Sequence, residues 1–221
     1  MMAINLTSTN TVKTSGVKIL AYGASGSGKT SLIATLPNPV ILSAEAGLLS
    51  LAGHDIPFIN IDDMETLREA YGWAKDCDHD TICLDSISEI AEVCLATEKK
   101  ASKDPRAAYG EMQSTMAELV RAFRDIPGKN IYMTAKLDKS TDEMGRVLYA
   151  PSMPGIKAGQ ALPYQFDIVT AVRVEKDSEG VTQRALMLES DGLWMAKDRS
   201  GKLSPWESPN LGDMIKKIGG E

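Results

Sequence analysis

The chain has 221 residues, 43% hydrophobic and 24% charged, with a formal net charge of −6 at pH 7. That length fills one good core and is short for two domains, and the acidic balance argues against a protein that coats nucleic acid by bulk electrostatics, though a local basic patch is compatible with it. Cys77, Cys83 and Cys94 are odd in number and lack CxxC spacing, and His54 and His79 are the two histidines, so neither a disulfide framework nor a zinc cluster is expected.

The first residues, "MMAINLTSTNTVKTSG", are polar and rich in Thr and Ser. They predict a flexible segment over 1–15 ahead of a single domain over 16–221. They show neither the basic nor the apolar region of a signal peptide, and no run of about eighteen apolar residues follows. The expectation is a soluble, cytoplasmic protein with no membrane partner.

From residue 17 the apolar segments alternate between strand-like and helix-like periods, which predicts an α/β fold with a mainly parallel central sheet flanked by helices. "VKILAY" (17–22), "PVILSA" (39–44), "PFINI" (57–61), "TICLD" (81–85) and "NIYMTA" (130–135) are the predicted strands. Helices are predicted from Lys29, over 64–76, from Ser86 and over 109–124. The stretch 136–165, with Gly145, Pro151, Pro154, Gly155 and Gly159, is expected to be a long loop. Beyond Pro163, "FDIVTAVRVE", "VTQRALMLES" and "LWMAKD" predict a C-terminal antiparallel meander, closed by a short helix near "LGDMIKKI".

Between the first strand and its helix lies "GASGSGKT", the full GxxxxGKT spacing. Such a loop wraps phosphate with backbone N–H groups, so Gly23, Ala24, Ser25, Gly26, Ser27, Gly28, Lys29, Thr30 and Ser31 are candidate nucleotide contacts. Lys29 is placed to reach the β- and γ-phosphates, and Thr30 to offer its hydroxyl to Mg²⁺. A magnesium site also wants a carboxylate at a nearby strand end, and "TICLDS" supplies Asp85. The next residue is Ser86, so the Asp-Glu pair of AAA+ ATPases is absent there. A carboxylate to activate water appears instead as Glu45, after the second strand. "TAKLD" approaches the guanine-reading NKxD of GTPases but has Ala135 in place of Asn, and DxxG is missing, which favours ATP.

The order of these motifs resembles the RecA-like ATPases, in which a glutamate precedes the Walker B aspartate. With "SAEAGL", "DPRAAYGEMQ", "NIYMTAK" and "MAKDRSG", the chain is similar to the short RecA-like ATPases of bacteriophages, over about Val17 to Leu203. That resemblance implies a P-loop core and a role on single-stranded DNA in homologous recombination or strand annealing. It also implies a homo-oligomeric ring or filament with ATP at subunit interfaces, and a single-strand DNA-binding protein as a further partner. It makes Glu45 the catalytic glutamate and Lys136 the strand-end polar sensor, where RecA recombinases carry Gln. Lys197 and Arg199 resemble the KxR pair that relatives insert into a neighbouring subunit's site.

For DNA, "KKASKDPR" clusters Lys99, Lys100, Lys103 and Arg106, and the stretch 136–165 offers Arg146, Tyr149 and Lys157. Trp73, Trp194 and Trp206 are expected in core or interface packing. A nucleotide-dependent regulatory ATPase that binds a protein and no DNA remains open beside this reading. A nucleoside kinase is disfavoured by the lack of an Arg-rich lid.

Overall fold

The computed structural model describes Ser8 and residues 16–45 and 47–220. The expectation for the N-terminal 1–15 falls almost wholly outside the described residues. Among the described residues ten strands form the architecture: β1 (Lys18–Gly23), β2 (Pro39–Ser43), β3 (Phe58–Asn60), β4 (Thr81–Asp85), β5 (Asn130–Thr141), β6 (Val147–Pro151), β7 (Ile168–Lys176), β8 (Thr182–Met187), β9 (Lys197–Asp198) and β10 (Trp206–Glu207). The order across the sheet is β10-β8-β7-β1-β5-β4-β2-β3. From β7 to β3 every neighbouring pair is parallel, whereas β8, β9 and β10 join antiparallel. The predicted α/β fold with a parallel core and an antiparallel C-terminal part is therefore the observed one.

β1 and β4 are buried along their whole length because both faces of the sheet are covered. On one face Leu20, Leu42, Leu84 and Met133 pack under the helices α1 (Met64–Ala74), α2 (Ile87–Ala101) and α3 (Pro105–Arg124). On the other, Ile19, Ile41, Cys83 and Tyr132 meet Leu32, Ile33 and the last helix, α5 (Leu211–Gly219). Each long helix starts on a side-chain cap: Asp63 accepts from the Thr66 N–H, Ser86 from that of Glu89 and Asp104 from that of Arg106. Cys83 and Cys94 are buried free thiols and Cys77 is half-buried.

Four expectations are corrected. The helix predicted from Lys29 is only a 3₁₀ turn, Ser31–Thr35. Leu36 precedes Pro37, which pushes it into the extended region, and Pro39 follows at once, so no second turn can form. The stretch 136–165 is not a long loop. β5 runs on to Thr141 and folds back as β6 with Leu137 opposite Pro151 and Thr141 opposite Val147, and helix α4 (Ile156–Ala161) and a 3₁₀ turn to Gln165 follow. In the meander, "LWMAKD" supplies β9, which pairs with the start of β7 and not beside β8. Trp194 is packed as expected, while Trp73 and Trp206 are 45% and 48% exposed. Among the described residues no helix is long and apolar enough to cross a membrane.

Candidate active site

β1 sits in the middle of the sheet between β5 and β7, and the "GASGSGKT" loop leaves its C-terminal end. Gly23 is there for space: a Cβ would lie 2.8 Å from Ser27 Oγ and 3.0 Å from Val172 O. Gly28 is there for conformation, with φ +102°, where a side chain would be strained. The loop floors a cleft of about 940 Å³ that also exposes Glu45, Lys136, Lys139 and Arg184.

Lys29 is folded back on the loop, donating to Gly23 O at 2.9 Å and Ala24 O at 3.1 Å. Burial holds its pKa below the usual lysine value, against the pull of the Glu45 and Asp85 carboxylates. An arriving anion would reverse that penalty.

Asp85 ends β4, two strands from the loop, and is 2% exposed. Thr30 Oγ1 donates to its Oδ2 at 2.8 Å, and Thr134 Oγ1, from the intervening β5, donates to Oδ1. Sequence separation of 55 residues thus closes into one hydrogen bond because β1, β5 and β4 are neighbours in that order. Glu45 follows β2; Ser43 Oγ fixes its carbonyl at 2.7 Å, and Ser86 Oγ donates to its Oε1. The donor set at Thr30, Asp85 and Thr134 is all oxygen, and no group of three His, Cys, Asp or Glu suited to a metal occurs among the described residues. That chemistry fits Mg²⁺, which takes one or two protein oxygens and completes its shell with phosphate and water, and does not fit zinc. Thr30 can hold its proton on Asp85 and still present a lone pair to the ion.

A family model described as an AAA domain matches residues 15–200. The chain belongs to that family. No curated protein matches it. Among solved structures, a KaiC-like protein from the hyperthermophilic archaeon Pyrococcus horikoshii OT3 is similar, at 15% identity over 78% of each chain with a TM-score of 0.41. In this AAA domain Ser86 follows the strand-end aspartate, and it reaches across to Glu45.

The remaining sequence candidates scatter. Lys136 lies at the cleft, but its Nζ is held by Glu89 at 2.5 Å and Glu92 at 3.2 Å on α2, and the Glu89 hydrogen bond raises its pKa. Lys197 and Arg199 are at the opposite end of the sheet, where β9 meets the start of β7, and donate to Pro163 O at 2.5 Å and Tyr164 O at 2.9 Å. The AAA domain's own loop is out of their reach. Lys99 and Lys100 close α2, Lys103 follows and Arg106 opens α3. Lys99 lies 5.3 Å over the Tyr109 ring, and Tyr109 and Gln113 flank Gly155, so α3 brings the 99–106 turn beside the α4 segment that carries Lys157. Arg146 is bound within the β5–β6 turn to Asp142 at 2.7 Å. Tyr149 stacks on Trp194 with ring centroids 4.0 Å apart. Arg184 was not among the sequence candidates; it is 156 residues from Gly28, and only the pairing of β8 onto β7 brings it to the loop.

Proposed function

We propose that the chain is an Mg²⁺-dependent ATPase of RecA-like type that assembles as a ring or filament and acts on single-stranded DNA in phage-type recombination or strand annealing, in the cytoplasm of the host cell. The observation that carries the hydrolytic reading is the Thr30–Asp85 hydrogen bond at the foot of the GKT loop, with Glu45 tethered beside it by Ser86.

On this reading the triphosphate replaces the loop's own carbonyls as partner of Lys29. Thr30 and Asp85 hold the magnesium ion, which when bound neutralises the β- and γ-phosphate oxygens. Ser86 occupies one oxygen of Glu45 and leaves the other to accept a proton from the attacking water. The water oxygen bonds to the γ-phosphorus as the bond to the ADP oxygen breaks, and Glu45 passes its proton on afterwards. Lys197 and Arg199 serve a neighbouring subunit's γ-phosphate. The 99–106 turn and Lys157, gathered along α3, form the surface that meets DNA phosphates, where a single-strand DNA-binding protein would hand over its substrate.

A second reading has a specific observation behind it. Arg146 and Tyr149 already have partners within the chain, which leaves the 99–106 turn and Lys157 as the DNA candidates; this favours an ATPase that answers to a protein partner. Steady-state ATP hydrolysis with and without single-stranded DNA, at low and moderate salt, separates the two. Stimulation that vanishes in Lys29→Ala and Glu45→Ala supports the DNA-directed ATPase. Hydrolysis indifferent to DNA at every salt supports the partner-directed one, and no hydrolysis in the unmodified protein sinks both.

A further inference from the structure

We infer that Arg184 is a cis-acting phosphate contact of the nucleotide site. The inference rests on the reading of the cleft as a nucleoside triphosphate site. Arg184 stands on β8 opposite Val174 of β7, past the level at which Gly23 touches Val172, so its side chain overhangs the loop from the antiparallel side of the sheet. Its Cδ and Nε lie 3.5 Å from where a Cβ on Gly28 would be, and among the described residues other than Gly28's chain neighbours no other atom comes within 4 Å of that point. Asp85 and Glu45 approach from the other side, on β4 and after β2, so the loop is bracketed by carboxylates on one flank and a guanidinium on the other.

The Arg184 side chain has no hydrogen bond or ion pair among the described residues, unlike those of Lys29 and Lys136; Lys139, also at the cleft, has a ring contact, 5.8 Å from the centroid of Tyr149. An arginine carries five fixed donors and stays charged at any working pH. A loop of this glycine-rich spacing wraps an anion, and an arginine side chain that overhangs it gains its partner from the same anion. A phosphate oxygen of the bound nucleotide is that anion. The assignment differs in kind from the one for Lys197 and Arg199: Arg184 belongs to the same chain as the loop, so its contribution needs no assembly.

The test is equilibrium binding of a fluorescent, non-hydrolysed ATP analogue, with Mg²⁺, to the full chain, to R184A and to R184K, over a range of protein concentrations that spans assembly and a range of salt. Arg184 is solvent-exposed at a strand position, so both variants should fold, which a thermal melt checks. The expected result is a loss of affinity of about tenfold to a hundredfold in R184A, as for a charge-assisted hydrogen bond, with partial recovery in R184K. The loss should be the same at every protein concentration, and the salt dependence of binding should be shallower in R184A. Unchanged affinity in R184A, beside binding by the unmodified protein, overturns the inference alone. A loss seen only where the protein assembles overturns the cis assignment. If the unmodified protein binds no nucleotide, the parent reading and this inference fall together.

Discussion

The two ends of the central sheet are built on opposite economies of charge. At the C-terminal end, the hydroxyls of Thr30, Thr134 and Ser86 are all spent on the carboxylates of Asp85 and Glu45, a closed set of acceptors with a cation-binding chemistry. At the other end, Lys197 and Arg199 rest on backbone carbonyls and form no salt bridge among the described residues. Burial and the neighbouring Arg199 lower the Lys197 pKa, and Asp167 pulls it the other way. In the assembly proposed above, the Lys197–Arg199 end of one molecule would meet the Asp85–Glu45 end of the next.

The largest effect should come from breaking that pairing. In the assembled protein, Arg199→Ala is expected to lower ATP hydrolysis by about 10³-fold or more, as for arginines that stabilise a transferring phosphoryl group from a neighbour. Mixing sharpens the comparison. R199A subunits keep Glu45 and E45Q subunits keep Arg199, so a mixture of two inactive proteins should regain part of the hydrolysis. A mixture as inactive as its components would show that the two ends do not cooperate.

Next in size is the carboxylate end alone. Glu45→Gln keeps the Ser86 hydrogen bond available but removes the proton acceptor, and hydrolysis should fall by about 10²- to 10⁴-fold while ATP-analogue binding is retained. Loss of binding instead would recast Glu45 as part of the phosphate pocket.

How much of this was legible from residues alone differs between the two ends. The GKT loop, Asp85 and Glu45 were readable because each is a strand-end signal in a local motif, and "TICLD" matched β4 to the residue. Ser86 was seen only as a helix start, since its second role depends on β2 lying beside β4. The β5–β6 hairpin is hidden in the sequence by Gly145 and the prolines, which mark loops, although "KLDKST" and "VLYAP" flank the five-residue turn 142–146, of a length that closes a hairpin. The helix expected from Lys29 is stopped by the two prolines of "LPNP", a signal that the apolar run after the loop outweighs in the sequence reading. Arg184 was out of reach: no spacing rule links strand β8 to Gly28.

A smaller effect tests the packing that joins the hairpin to the sheet. Trp194 is stacked on Tyr149, lies 6.3 Å from the Tyr22 ring and carries the Arg173 guanidinium 4.3 Å over its face. Trp194→Ala should cost about 2–3 kcal/mol in denaturant unfolding, less than a fully buried tryptophan because this one is half-buried. A cost near zero would mean that the hairpin is anchored by the hydrogen bonds of Tyr149 to Leu193 and Met195 and not by the stack.

The smallest effect concerns the cation end again, at Lys18. Burial lowers its pKa from 10.5 to about 8, although Asp167 and Asp125 pull the other way, and its amine donates to Lys129 O at 2.6 Å. Below pH 8 both folded and unfolded chains hold the proton and stability does not depend on it. Between about 8 and 10.5 the unfolded chain binds more protons than the folded one, so this group adds stability as pH rises. Cys83, Cys94, Tyr22 and Tyr132 act in the opposite sense, because burial raises their pKa values and the unfolded chain loses those protons first. The unmodified protein alone therefore shows a mixture. The difference in unfolding free energy between it and Lys18→Met isolates the lysine, and should shift in favour of the unmodified protein by about 1–2 kcal/mol between pH 8 and 10. A difference that stays flat across that window would mean that Lys18 keeps its proton in the folded state, held by the Asp167 side of the same cation-rich end.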